Sequence, residues 1–102
     1  MIHVLATIQL APGRRADFLA EFDKIVSQVH AERGCLEYGP AIEMNTPIAA
    51  AASARDDFVT VIEKWESVQA LQDHLAAPHM TSYRETVKDL VAGVEIRVME
   101  PA

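Results

Sequence analysis

The sequence is poor in the residues that build covalent or strongly charged frameworks. It has one cysteine, Cys35, so no disulfide can close within the chain, and a thiolate metal site lacks ligands. A reducing, cytoplasmic compartment is the expectation. Nine basic residues are scattered among 15 acidic ones, for a formal net charge of -6. No run of them can neutralise a series of phosphates, so nucleic acid is not an expected partner. The same acidity argues against docking on an anionic membrane. No apolar run approaches the roughly 18 residues of a membrane-spanning helix. The first ten residues, MIHVLATIQL, are apolar but have no basic flank and no small-residue cleavage pattern, so a secretory signal is not expected. Gly13, Gly34, Gly39 and Gly93 stand singly. Dinucleotide, P-loop and HExxH zinc signatures are all missing, as are a serine elbow and a Cys/His pair. No metal and no cofactor are expected.

What is present is hydrophobic patterning. Half of the 102 residues are hydrophobic, enough for one small domain spanning 1–102, whose large exposed fraction favours oligomerisation. Residues 2–10 alternate: Ile2, Val4, Ala6, Ile8 and Leu10 on one face, His3, Leu5, Thr7 and Gln9 on the other, which predicts a strand. Beyond Pro12-Gly13, residues Phe18, Phe22, Ile25, Val26 and Val29 keep helical spacing and predict about four turns of helix ending before Gly34. Residues 35–44 predict a second strand, at an edge or broken, because Pro40 cannot donate to a ladder. The alanine-rich stretch 45–56 has no charged face and is read as a loop. Residues 58–65, FVTVIEKW, are the clearest strand. Ser67 suits a helix N-cap, and Val68, Leu71, His74 and Leu75 form the stripe of the helix it opens. Pro78 breaks that helix. Another runs from about His79 to Val91, burying Met80, Tyr83, Val87 and Leu90, with Gly93 as its stop. Val94, Ile96 and Val98 alternate in a last strand.

The order is the ferredoxin-like βαββαβ pattern, an α+β fold with helices on one face of an antiparallel sheet. The other sheet face carries apolar residues and needs a cover. A second copy of the same sheet provides one, giving a homodimeric α+β barrel with isologous contacts.

Chemistry-bearing residues cluster late in the chain. Glu63 and Trp65 share a strand face; His74 and His79 follow on helices. Together with Pro12-Gly13, with Glu32-Arg33-Gly34-Cys35-Leu36 and Tyr38, and with Ile62-Glu63, Trp65 and Ser67, they make the sequence resemble the antibiotic-biosynthesis-monooxygenase family over nearly its whole length. The resemblance implies a dimeric barrel and an enzyme using neither metal nor flavin. It implies a small aromatic substrate, a quinol or polycyclic phenol, oxidised with O₂ in a pocket between sheet and helices. The protein then binds the ring, stabilises its anion and excludes water.

On that reading Trp65 is an aromatic wall and His74 the base or anion stabiliser, since its unperturbed pKa lies near neutrality. Glu63 orients a histidine or forms an ion pair with Arg97. His79, Tyr83 and His3 are further substrate-binding candidates. Each has a structural alternative: Trp65 as core tryptophan, His74 as a space-filling helix residue beside Leu71 and Leu75, His79 as a helix-start residue. Tyr38 is read as a core residue and Cys35 as a buried structural thiol. Haem-degrading relatives carry an Asn on the first strand, where this chain has Ala6 and Thr7, so haem degradation is disfavoured. Two other functions fit the same scaffold. An isomerase of small polar metabolites requires Arg84, Arg97 and the histidines to converge. A non-catalytic binding module requires a pocket filled by side chains.

Overall fold

The computed structural model describes residues 1–102. Strand β1 (Ile2–Leu10) is followed by helices α1 (Arg15–Asp23) and α2 (Val26–His30), then by strands β2 (Cys35–Ala41) and β3 (Phe58–Trp65). Helices α3 (Val68–Ala76) and α4 (Pro78–Val87) lead into β4 (Val91–Met99). The four strands form one sheet in the order β2-β3-β1-β4, with every neighbouring pair antiparallel. This is the ferredoxin-like α+β arrangement predicted from the sequence. No helix is long and apolar enough to cross a membrane.

The pleat sorts the side chains. Ile2, Val4, Ala6, Ile8 and Leu10 are buried beneath the helices with Val59, Val61, Glu63 and Trp65 of β3. They meet Phe18, Phe22, Ile25 and Val29 from α1, α2 and the turn between them, Leu71 from α3, and Met80 and Val87 from α4. The opposite sheet face carries Leu5, Thr7, Phe58, Thr60 and Ile62, and no element of the chain lies over it. β2 is an edge strand, which is where Pro40 is tolerated.

Four details depart from the sequence reading. The predicted long helix is interrupted at Lys24–Ile25, where backbone N–H groups bond carbonyls three residues back, Lys24 to Glu21 and Ile25 to Phe22, and tighten the turn. Pro78 breaks the helix as predicted and opens α4 at its first position, where its missing N–H costs nothing, but α4 ends at Val87 and Val91 begins β4. Gly93 does not stop a helix; it pairs with Gln9 inside β4. Val68 is exposed, so α3 buries only Leu71 and His74. Ser67 does cap α3, accepting from the Ala70 N–H at 3.1 Å.

Gly34 governs what comes next. Its φ of +85° lies in the left-handed region, and a Cβ there would sit 2.7 Å from the Ala70 Cβ. Its carbonyl accepts from the Glu66 N–H at 2.9 Å. The 31–34 turn can therefore lie directly against the start of α3, and that contact carries Glu32 to His74.

Candidate active site

Between sheet and helices lies a cavity of about 340 Å³, within the usual range for a small-molecule site. Its floor is Ala6, Ile8, Val61 and Tyr38; its roof is Phe18 and Phe22 of α1 with Met80, Tyr83 and Val87 of α4. It opens along β4, where Val94 and Ile96 point to the helix side but no helix covers them. The lining is almost wholly apolar. The polar exceptions are Glu63, His74 and the tyrosine hydroxyls, with Arg84 and Lys88 also among the lining residues.

β3 delivers Glu63, flanked by Val4 and Tyr38 in the sheet register. Its side chain is 5% exposed, and its Oε1 accepts from Trp65 Nε1 at 2.9 Å. α3 delivers His74, 2% exposed, with Nδ1 at 2.8 Å from Glu32 Oε2. The imidazole lies 4.6 Å from the Trp65 ring, centroid to centroid, and 5.3 Å from Tyr38 edge-on. No buried polar side-chain atom in the protein lacks a partner. His74 Nε2, Glu63 Oε2 and the Tyr38 hydroxyl bond nothing within the chain, so each opens on accessible space, which at these residues is the cavity.

The electrostatics follow from burial. Desolvation pushes the Glu63 carboxyl up from 4.5 to about 7; the Trp65 N–H pulls it back in part, and the charge of Glu32 adds to the rise. Desolvation also pulls the His74 imidazole below its ordinary value, against the hydrogen bond and charge of Glu32, which raise it. His74 is therefore neutral at neutral pH, while Glu63 there exchanges between acid and carboxylate. Burial holds the Tyr38 and Tyr83 hydroxyls protonated, well above the usual tyrosine value.

The predicted site residues thus separate into groups. His74, Glu63 and Tyr83 line the cavity. Trp65 does not: it is fully buried behind His74 and supports Glu63 rather than forming a wall. His79 lies outside the lining, on a polar groove between α1 and α4, with its Nε2 at 3.0 Å from Glu32 Oε2. His3 pairs with Lys64 on the uncovered sheet face, because odd positions of β1 point away from the helices. Arg97 sits on that face too, opposite Leu5, so it cannot meet Glu63. Sequence reading missed Glu32 as a partner of His74: the two are 42 residues apart, and only the Gly34 turn joins them.

The raised Glu63 carboxyl has a measurable cost. Between about pH 4.5 and about 7 the folded protein keeps a proton on Glu63 that the unfolded chain has released. Stability falls as pH rises through that window, by on the order of 3 kcal/mol, and the loss is complete above it. Glu63→Gln removes this loss, so the variant gains on the native protein as pH rises from below to above the window. Urea unfolding at both ends measures the difference. An unchanged gap between the two proteins would show that Glu63 keeps its ordinary carboxyl value in the folded protein.

The model of the family described as antibiotic biosynthesis monooxygenase matches residues 1–86, and so takes in β1 through most of α4. "Probable quinol monooxygenase YgiN" of Escherichia coli K12 is 39% identical over 103 aligned positions, covering 99% of this chain and 98% of that protein; its Shigella flexneri counterpart matches equally. The chain belongs to the antibiotic biosynthesis monooxygenase family. Solved structures agree on the fold. A Pseudomonas aeruginosa protein superposes with a TM-score of 0.81 at 24% identity, covering 99% of this chain and 93% of that one. A Mycobacterium tuberculosis protein gives 0.80 at 24%, covering 99% and 94%. The portion matched to the antibiotic biosynthesis monooxygenase family includes Glu32, Glu63, Trp65, His74 and Tyr83.

Proposed function

We propose that this protein is a monooxygenase that oxidises a quinol or related phenolic ring with O₂ in the cavity beneath the helices. The observation that carries the proposal is that a neutral imidazole and a carboxyl poised near pH 7 line the same mostly apolar chamber. The name of the Escherichia coli relative supports the same substrate class.

The residues suit each step. The apolar lining binds the ring and keeps water out. His74 Nε2 takes the proton of a ring hydroxyl, leaving an electron-rich anion able to pass an electron to O₂. Glu63 in its acid form donates a hydrogen bond to the ring oxygen and stabilises that anion. A quinol also balances the reaction without a further reductant. Dihydroxynaphthalene and O₂ give a hydroxynaphthoquinone and one water: one oxygen atom enters the ring, and the two ring hydroxyls supply the electrons and protons for the other. No cofactor is needed on this route.

The test is O₂ uptake against a panel of reduced naphthoquinones and benzoquinones. We expect uptake equal to the quinol consumed, with the hydroxylated quinone as product. Uptake no faster than spontaneous oxidation for every quinol would overturn the proposal. The isomerase alternative has less support, because Arg97 and His3 lie on the far side of the sheet from Arg84 and His74. The proposal includes a homodimer packed through the uncovered sheet faces, supported by Leu5 and Ile62, over which no helix or strand of the chain lies. Sedimentation showing only a monomer would remove that part.

A further inference from the structure

One oxygen of Glu32 sits between two imidazoles. His74 Nδ1 lies 2.8 Å from Glu32 Oε2, and His79 Nε2 lies 3.0 Å from the same atom. The three side chains run from the cavity outward: His74 is 2% exposed, Glu32 14% and His79 20%. A carboxylate oxygen only accepts, and it has lone pairs enough for two donors. Both ring nitrogens facing it must then carry hydrogen. In a neutral imidazole the proton on Nδ1 leaves Nε2 with a free lone pair, and His74 Nε2 is the nitrogen that opens on the cavity.

We propose that Glu32 and His79 are positioning residues for His74: Glu32 holds the imidazole in the tautomer whose basic nitrogen faces the cavity, and His79, bound to the same oxygen, sets how strongly it does so. This rests on the oxidation reading only for its kinetic consequence; the tautomer and the coupling belong to the protein itself. The other groups around His74 do not substitute for Glu32. β2 presents the uncharged Tyr38, and β3 presents the Trp65 ring with Glu63 at the cavity wall. From α4, besides His79, comes Arg84, whose guanidinium donates to the Leu75 carbonyl at 2.7 Å. The two positioning residues act in opposite directions. The bond and charge of Glu32 favour the protonated imidazole, whereas positive charge on His79 or Arg84 disfavours it.

The experiment follows the ring nitrogens of His74 by nuclear magnetic resonance across its titration, in the full-length native protein and in Glu32→Gln and His79→Gln, alongside pH profiles of quinol oxidation. In the native protein we expect the neutral ring to carry its proton on Nδ1. Glu32→Gln should move the His74 titration to lower pH and His79→Gln to higher pH. The acid limb of kcat should move the same way in each variant, and Glu32→Gln should lower kcat by about 10- to 100-fold with little change in KM, the range found when a metal-bound histidine loses its orienting partner. A residue that only held the fold would not shift one titration in two opposite senses. His79→Gln, at the outer end of the chain of contacts, keeps the test open if Glu32→Gln fails to fold. A proton on Nε2 in the native protein, or shifts that are absent or of one sign, would overturn the proposal. If the resonance shifts occur and no quinol is oxidised, the positioning stands and the oxidation reading falls.

Discussion

Replacing His74 with alanine is expected to lower kcat/KM for quinol oxidation by about 10²- to 10⁴-fold, the usual contribution of a positioned general base. The imidazole is the one neutral base among the cavity-lining groups, since Arg84 and Lys88 are cationic and the tyrosine hydroxyls stay protonated. Truncation leaves Glu32 with His79 as a donor, so the carboxylate is not stranded. It does open a void beside Trp65 and Tyr38, and His74→Gln is the control that fills most of it. Both variants should lose turnover while circular dichroism shows native helix and strand content. Turnover within a few-fold of native in either variant would take His74 out of the mechanism. Glu63→Gln makes a useful contrast: its amide can accept from Trp65 and still donate into the cavity, so turnover should survive. A collapse of turnover in Glu63→Gln would mean that the carboxylate, and not His74, takes the proton.

Trp65→Ala is expected to cost about 3–5 kcal/mol of stability, the range for truncating a fully buried aromatic residue. The indole has no exposed surface and packs against His74 and Tyr38. Its N–H is the only bond donor to Glu63, so alanine both empties the core and leaves a buried carboxyl oxygen without a partner. Trp65→Phe separates the effects. It keeps much of the packing, costs less, and removes only the N–H that lowers the Glu63 pKa, so Glu63 should titrate above about 7 in that variant. Urea unfolding followed by circular dichroism is the measurement, because Trp65 is the only tryptophan and its fluorescence leaves with it. A loss under about 1 kcal/mol for Trp65→Ala would show that the core closes over the gap, as well-collapsing sites do.

The cavity was legible in outline and not in detail. Spacing placed Glu63 and Trp65 on one strand face and His74 in the α3 stripe, and the family resemblance implied a pocket between sheet and helices. Which of the three touches the cavity depended on depth: Trp65 is long enough to reach under His74 and fill the core, leaving the shorter Glu63 at the wall. His3 and Arg97 show the limit of reasoning by residue type. Both are polar and near the right strands, yet a shift of one position in a pleated strand puts them on the other face.

Local pattern determined the order of strands and helical regions, though not the break between α1 and α2, because strand and helix periods are short-range properties that one stretch of chain expresses without reference to the rest. It also determined the Ser67 cap and the place of His74 in the α3 stripe, and it narrowed β2 at Pro40 to an edge or a broken strand, of which the structure shows the edge. Tertiary structure decided the partnership of Glu32 with His74 and His79, the retreat of Trp65 from the cavity and the upward push on Glu63. Each of these depends on how closely two distant segments approach and how much water their approach excludes, and neither quantity is carried by residue spacing along the chain.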